Sequence, residues 1–256
     1  MKKVAFFCLL FLAALAVVNA AQSRETLTLD ASGCRSLRID CGAGYLQVRG
    51  EDNLEKIEVK AVLDVRGIAQ NELSEFKKQY VELKLDKTGD NAVLIAKIES
   101  GFSLETLFGG RDARIDLEIR LPRRLALAVE DGSGDIEIRE IDGGLDLEDG
   151  SGAIHVTNIN GLVKIDDGSG DMQLAGLKGG VKIIDGSGDI ELKDAGGDVA
   201  VEDGSGKIGL YHVSGSVTID DGSGDIIIDG VEKDLTIEEA GSGGVEIRNV
   251  KGKVRK

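Results

Sequence analysis

The chain has no tryptophan, one proline and two histidines, and aromatic residues make up 4% of its 256 positions. One proline excludes a proline-rich stalk. The shortage of aromatics removes the platforms on which polysaccharide-active sites stack their sugars, and two histidines leave general acid–base chemistry little to draw on. Cations are in deficit as well, with 31 Lys and Arg against 46 Asp and Glu and a net charge of -15. Such a chain repels nucleic acid and anionic membrane surfaces. Acidity of this order is the mark of a solvated surface, and divalent cation binding is the sharper alternative.

Long apolar runs are also lacking, with one exception at the start. Met1-Lys2-Lys3 is followed by apolar residues from Val4 to Val18, and Val18-Asn19-Ala20 closes the run as a small-residue cleavage site. Residues 1–20 therefore read as a secretory signal peptide. The run falls short of the ~20 residues that span a bilayer, and no later segment is apolar enough to span. Cys8 lies inside the run without small residues before it, which argues against lipoprotein acylation. The expected location is exported: periplasmic, outer-surface or extracellular, with no membrane span after signal cleavage.

Glycine is abundant, at 36 residues, and it is periodic. Asp-Gly-Ser-Gly begins at Asp131, Asp149, Asp167, Asp185, Asp203 and Asp221, each start 18 residues after the last. With Asp as column 1, column 6 holds Ile136, Ile154, Met172, Ile190, Ile208 and Ile226, and column 8 is equally aliphatic. Column 15 runs from Leu145 through Val163 to Leu235, and column 17 from Leu147 through Ile165 to Ile237. Residues two apart on a strand share a face, so each pair marks one short strand with an inward face. Two strands per 18 residues, repeated without insertion, predict an all-β parallel β-solenoid, right-handed by the crossover rule. Column 11 (Ile141, Ile159, Leu177, Ala195, Val213, Val231) adds a fifth apolar position. The cross-section is therefore a flattened two-sheet roll or a three-faced one. A single coil cannot repay the ordering of its own backbone, so stability must come from stacking.

The period lapses on both sides of the array. Gly42-Ala43-Gly44-Tyr45-Leu46-Gln47-Val48 has the spacing of Gly-Ser-Gly-Asp-Ile-Glu-Ile, and Leu37 and Ile39 stand where columns 15 and 17 would fall. Residues 21–63 thus read as N-terminal strands with a degenerate first coil, the solenoid starting near residue 25. Residues 64–112 read as an insertion or cap: Ile68, Leu73, Phe76 and Tyr80 share one helical face, and Thr88-Gly89-Asp90-Asn91 turns a hairpin. Residues 113–256 carry the regular repeats. Past Glu239 one residue is inserted, and Lys251, Lys253, Arg255 and Lys256 place cations on the last edge. That charge discourages edge-to-edge pairing, with a basic docking tail as the rival reading.

Leu121-Pro122, then Leu127-Ala128-Val129, then repeated Gly-Ser-Gly-Asp-Ile-x-Ile with glycine between strands resembles the bacterial putative adhesin family, also described as β-strand-repeat-containing proteins of unknown function. The resemblance covers most of the chain beyond residue 20. It implies an envelope-exposed solenoid and carries over no catalytic or binding residue.

The strongest chemical feature is the stack Asp131, Asp149, Asp167, Asp185, Asp203 and Asp221, at the ~4.8 Å strand spacing. In one reading each Asp accepts backbone N–H bonds within its own turn, glycine supplies positive φ, and water screens the charges. In the other, Asp-x-Ser-x-Asp offers oxygen ligands to calcium. The distal Glu of a helix-loop-helix calcium loop has no counterpart, however, and Ile136 and its column mates stand where the nonapeptide calcium roll needs Asp. Calcium is the one cofactor in question. The serines Ser133 to Ser223 have no base beside them, and His155 and His212 lie apart on outward columns. Cys34 and Cys41 fall near opposite ends of the Leu37–Ile39 strand, on the order of 20 Å apart, which is too far for a disulfide. Gly101 to Gly110 carries Phe102 and Phe108, read either as a partner contact or as a seal on the first coil. No catalytic residue emerges. The function expected is a non-enzymatic envelope or secreted solenoid whose extended acidic surface serves adhesion or interaction with an envelope or extracellular protein or glycan. The alternatives are a calcium-stabilised scaffold and a carbohydrate-active enzyme on a β-helix.

Overall fold

A computed structural model describes residues 20–99 and 113–256. Residues 1–19, which fall in the stretch expected to be a signal peptide, and Phe102 and Phe108 lie outside the described residues. The fold is a parallel β-solenoid of about seven turns, each of about 18 residues, with one short helix among the described residues. The described strands form two sheets of 11 strands each, so the roll is two-sided.

Within the array the two strands of each coil alternate between the sheets. Leu145–Asp149 pairs in parallel with Val163–Asp167, and Ile154–Ile159 with Met172–Leu177, each in register with the residue 18 positions on. Columns 6, 8, 15 and 17 are buried throughout from Leu145 to Ile237. The fifth column does not make a third face. It ends the same strand as columns 6 and 8, and simple alternation would turn it outward. Column 10 prevents this: Glu140, Asn158, Asp194 and His212 have φ between 57° and 61°, and Gly176 and Gly230 are also positive. One left-handed residue shifts the phase, so Ile141, Ile159 and Leu177 point into the core at 0% exposure.

The Asp-Gly-Ser-Gly turn needs its glycines for two reasons. Gly152, at φ 144°, lies so close to the coil before it that a Cβ would sit 1.9 Å from the carbonyl oxygen of Gly134. Gly150 has an ordinary φ, yet a Cβ there would stand 2.4 Å from the carbonyl oxygen of Gly132. Positive φ fixes the first position and close stacking the second.

The N-terminal third is ordered differently in space and in sequence. Its elements are β1 (Ala20–Asp30), β2 (Ser36–Cys41), β3 (Leu46–Glu51), β4 (Lys56–Arg66), α1 (Leu73–Tyr80), β5 (Val81–Thr88), β6 (Asn91–Ile98) and β7 (Ala113–Pro122). β8 (Ala126–Asp131) and β9 (Ile136–Ile141) then open the regular array. β2 and β3 form the degenerate coil. β2 lies between β6 and β8, and β3 between β7 and β9, all in parallel. The coil written first is therefore second in space, and the coil of β6 and β7 stacks outside it.

Two expectations change here. The parallel coils begin at β2 and not near residue 25, because β1 pairs antiparallel with β4, and β4 antiparallel with β7. Nor does the whole stretch read as an insertion or cap stand outside the solenoid, since β6 is a member of the second sheet and β5, antiparallel to it, closes that sheet among the described residues. Reversing direction at the edge gives the open end of the solenoid a hairpin instead of a free parallel strand. Phe76 and Leu73 of α1 are buried against this end. Side chains tie the reversal down: Arg120 of β7 reaches Glu51 at 2.6 Å and Glu58 at 2.9 Å, and Arg124 donates to the carbonyls of Cys34 at 2.8 Å and Ala31 at 2.9 Å. At the far end Val254–Arg255 is the last strand, and Val254 is 46% exposed.

Candidate functional site

The stacked aspartates are the most unusual chemistry of the molecule, and they are not on the surface. Asp149, Asp167, Asp185, Asp203 and Asp221 are between 0% and 7% exposed. The expectation that water screens them is overturned, and the reason is strand geometry. Columns 15, 17 and 1 are two residues apart, so Asp167 shares its face with Val163 and Ile165 and follows them inward. The alternation was legible in the sequence. A charged residue beside a glycine, however, also signals a turn, and the two signals point opposite ways.

Each carboxylate has one oxygen satisfied. Oδ1 of Asp149, Asp167, Asp185, Asp203 and Asp221 accepts the backbone N–H of the serine two residues on, at 3.0 to 3.3 Å. Asp131 differs: its Oδ1 faces the Cys41 thiol at 3.1 Å, and the Ser133 N–H goes to Gly42 instead. Cys41 thus stands in the row where an earlier coil would have its aspartate. The Oδ2 atoms of all six aspartates are buried with no hydrogen-bond partner. Burial pushes Asp131, Asp167 and Asp203 up to about 6 and Asp185 up to about 7, with repulsion between neighbours adding to it. Asp149 and Asp221 are raised by burial too. Burial and the adjacent Asp131 also push the Cys41 thiol far up, so it is no nucleophile.

Outside the same edge, acids are exposed in two rows: Glu148, Asp166, Glu202, Asp220 and Glu238, and Asp135, Asp171, Asp189 and Asp225. The second row is structural as well as charged. Oδ1 of Asp135, Asp171 and Asp189 accepts the N–H of the residue 18 positions on, at 3.0 to 3.1 Å, which stitches coil to coil. Among the described residues, no group of three or more His, Cys, Asp or Glu is arranged to hold a metal ion. The ladder spreads its ligands along one axis, whereas calcium gathers six to eight oxygens around one point.

The remaining candidates stay apart. The serines are half-buried, with no histidine hydrogen-bonded to them among the described residues. His155 is exposed, and His212 faces Asp194 at 3.2 Å on the surface of the left-handed column. Cys34 and Cys41 are buried free thiols. An open cleft of about 680 Å³ lies where β3, β4 and β7 meet the first Asp-Gly-Ser-Gly turn, with Tyr45, Asp64, Arg66, Arg114 and Asp116 on its walls. Its charges are largely self-paired, Arg114 with Asp116 at 3.5 Å and the Tyr45 N–H on Asp116 at 3.0 Å. No helix among the described residues is long and apolar enough to cross a membrane.

Comparison with known proteins gives one family and several distant structures. A putative adhesin from Parabacteroides distasonis is 13% identical, with 91% of this chain and 96% of that chain covered at a TM-score of 0.49. A putative adhesin from Bacteroides fragilis is 12% identical, over 91% and 96%, at 0.46. A putative lipid binding protein from Parabacteroides distasonis is 10% identical, over 91% and 96%, at 0.30. No curated protein matches the chain. The family match runs over residues 17–255, across the N-terminal strands and every coil of the array, and by it this chain belongs to the Toastrack DUF4097 family.

Proposed function

We propose that the chain is a non-enzymatic, exported binding scaffold whose Asp-Gly-Ser-Gly edge is the face presented to a partner. The observation that carries this reading is the pair of exposed acid rows along one edge of the array, Glu148 to Glu238 broken once at Ile184, and Asp135 to Asp225 broken at Ala153 and Lys207. Acids held one or two strands apart along one edge make a negative field that favours a partner of complementary charge, an envelope or extracellular protein or a cationic glycan. Export rests on the signal-type segment at residues 1–20.

Crosslinking in whole cells followed by partner identification tests the reading. The control is a variant with Glu148→Gln, Asp166→Asn, Glu202→Gln and Asp220→Asn, which neutralises exposed acids without touching the buried row. Capture should fall in the variant, weaken with salt and persist in chelator. Equal capture by both chains would remove the acidic edge from the account.

A further inference from the structure

The inner row poses a problem that the outer rows do not. Six carboxyl groups point into the solenoid interior in one line, each with Oδ1 bonded and Oδ2 buried without a partner. An ionised carboxylate needs acceptor sites filled on both oxygens or a cation beside it. The protein's own groups provide neither for Oδ2. The charged neighbours that act on the row are acidic: Asp166 beside Asp167, Asp189 beside Asp203, Asp220 beside Asp221, with the Cys41 thiol at the end on Asp131. Around them are apolar columns 6 and 17 and the stacked glycines. Protonation removes the buried charge, which is the larger penalty, while the Oδ1 that accepts a serine N–H stays an acceptor and Oδ2 carries the proton.

We propose that the six aspartates form a proton-binding row in the folded solenoid, so that folding takes up protons and the array is stabilised as the surroundings acidify. The row is continuous because Asp149, Asp167, Asp185, Asp203 and Asp221 occupy the same register position on adjacent strands. Neighbours that repel when charged can share protons when partly loaded, so the row fills and empties as a coupled set. Burial raises all six above the ordinary value of 3.8, Asp185 most of those with a value, to about 7. A folded group that holds its proton more tightly than the unfolded chain contributes stability that is complete below about pH 4. That contribution is lost as pH rises through about 6 to 7. Glu51 and Glu58, lowered below 4.5 chiefly by Arg120 and Lys56 respectively, act in the opposite sense only at lower pH. The interval from pH 5 to pH 8 therefore isolates the row.

The test is the thermal midpoint of the full chain at pH 5, 6, 7 and 8, beside that of a variant with Asp167→Asn, Asp185→Asn and Asp203→Asn. Each amide keeps the Oδ1 acceptor and places a permanent donor where the proton would sit. The midpoint of the natural chain should fall by several degrees from pH 5 to pH 8, and the variant should lose about half of that dependence. A flat profile in the natural chain, or an unchanged slope in the variant, would overturn the proposal. If the variant does not fold, infrared difference spectra of the natural chain decide. A protonated-carboxyl C=O band present at pH 5.5 and gone by pH 8 is expected, and its absence at pH 5.5 refutes the row.

Discussion

In the array from Leu145 to Val213 every strand lies beside the strands 18 residues before and after it, whereas in the N-terminal third Leu37 lies between Ala92 and Leu127. The array is redundant: each coil makes the same contacts as the next, and its neighbours in space are its neighbours in sequence. The N-terminal third is singular, held by contacts that occur once, such as Arg120 between Glu51 and Glu58. Redundant stacking tolerates no residue that widens the coil spacing, because two coils meet at every turn. The singular region tolerates local change but depends on closing long loops, which makes it the slower part to assemble.

Glycine substitution is the sharpest probe of that contrast. Gly188→Ala, where a Cβ would lie 2.0 Å from the carbonyl oxygen of Gly170 at φ 147°, should cost about 3 kcal/mol or more, read by urea unfolding. Gly89→Ala, at φ 64° with open space around it, should cost about 1 kcal/mol. Equal costs would mean that the turn does not set the coil spacing. Ile39→Ala comes next, at roughly 2–5 kcal/mol for a fully buried position. Since β2 lies between β6 and β8, hydrogen exchange should quicken in both flanking strands, and a change on one side alone would break the proposed coil order. Arg124→Ala removes two bonds to carbonyl oxygens and should cost about 1 kcal/mol, with faster exchange confined to residues 31–41 and 123–131. The smallest effect is expected from calcium. Millimolar calcium against chelator should leave the thermal midpoint unchanged, and a rise would revive the aspartate ladder as a metal site.

Much of the array was legible because its signals are local. Alternation of Ile136 and Ile138, or Val163 and Ile165, names a strand and its inner face without knowledge of any neighbour, and the 18-residue recurrence names the stacking. The left-handed column was written there too, in the sequence Glu140, Asn158, Gly176, Asp194, His212 and Gly230, rich in the residue types that accept positive φ. Without that phase shift, the fifth apolar column is consistent with a third face as well as with two. The buried aspartates were half legible: the bond to the serine N–H follows from the turn, while burial depends on which way a terminal strand residue leans.

The sequence by itself determined the solenoid, its period, its inward columns and its glycine turns, since each of these is a relation between residues a fixed short distance apart. Only the tertiary structure decided that the coil of β6 and β7 stacks outside the coil of β2 and β3, that β1 and β5 close the open end in antiparallel pairing, and that five aspartates of the row lie buried with Asp131 half-buried at its end. Those outcomes depend on which strand edges remain free and on what closes over a turn, and neither property belongs to any one segment of the chain.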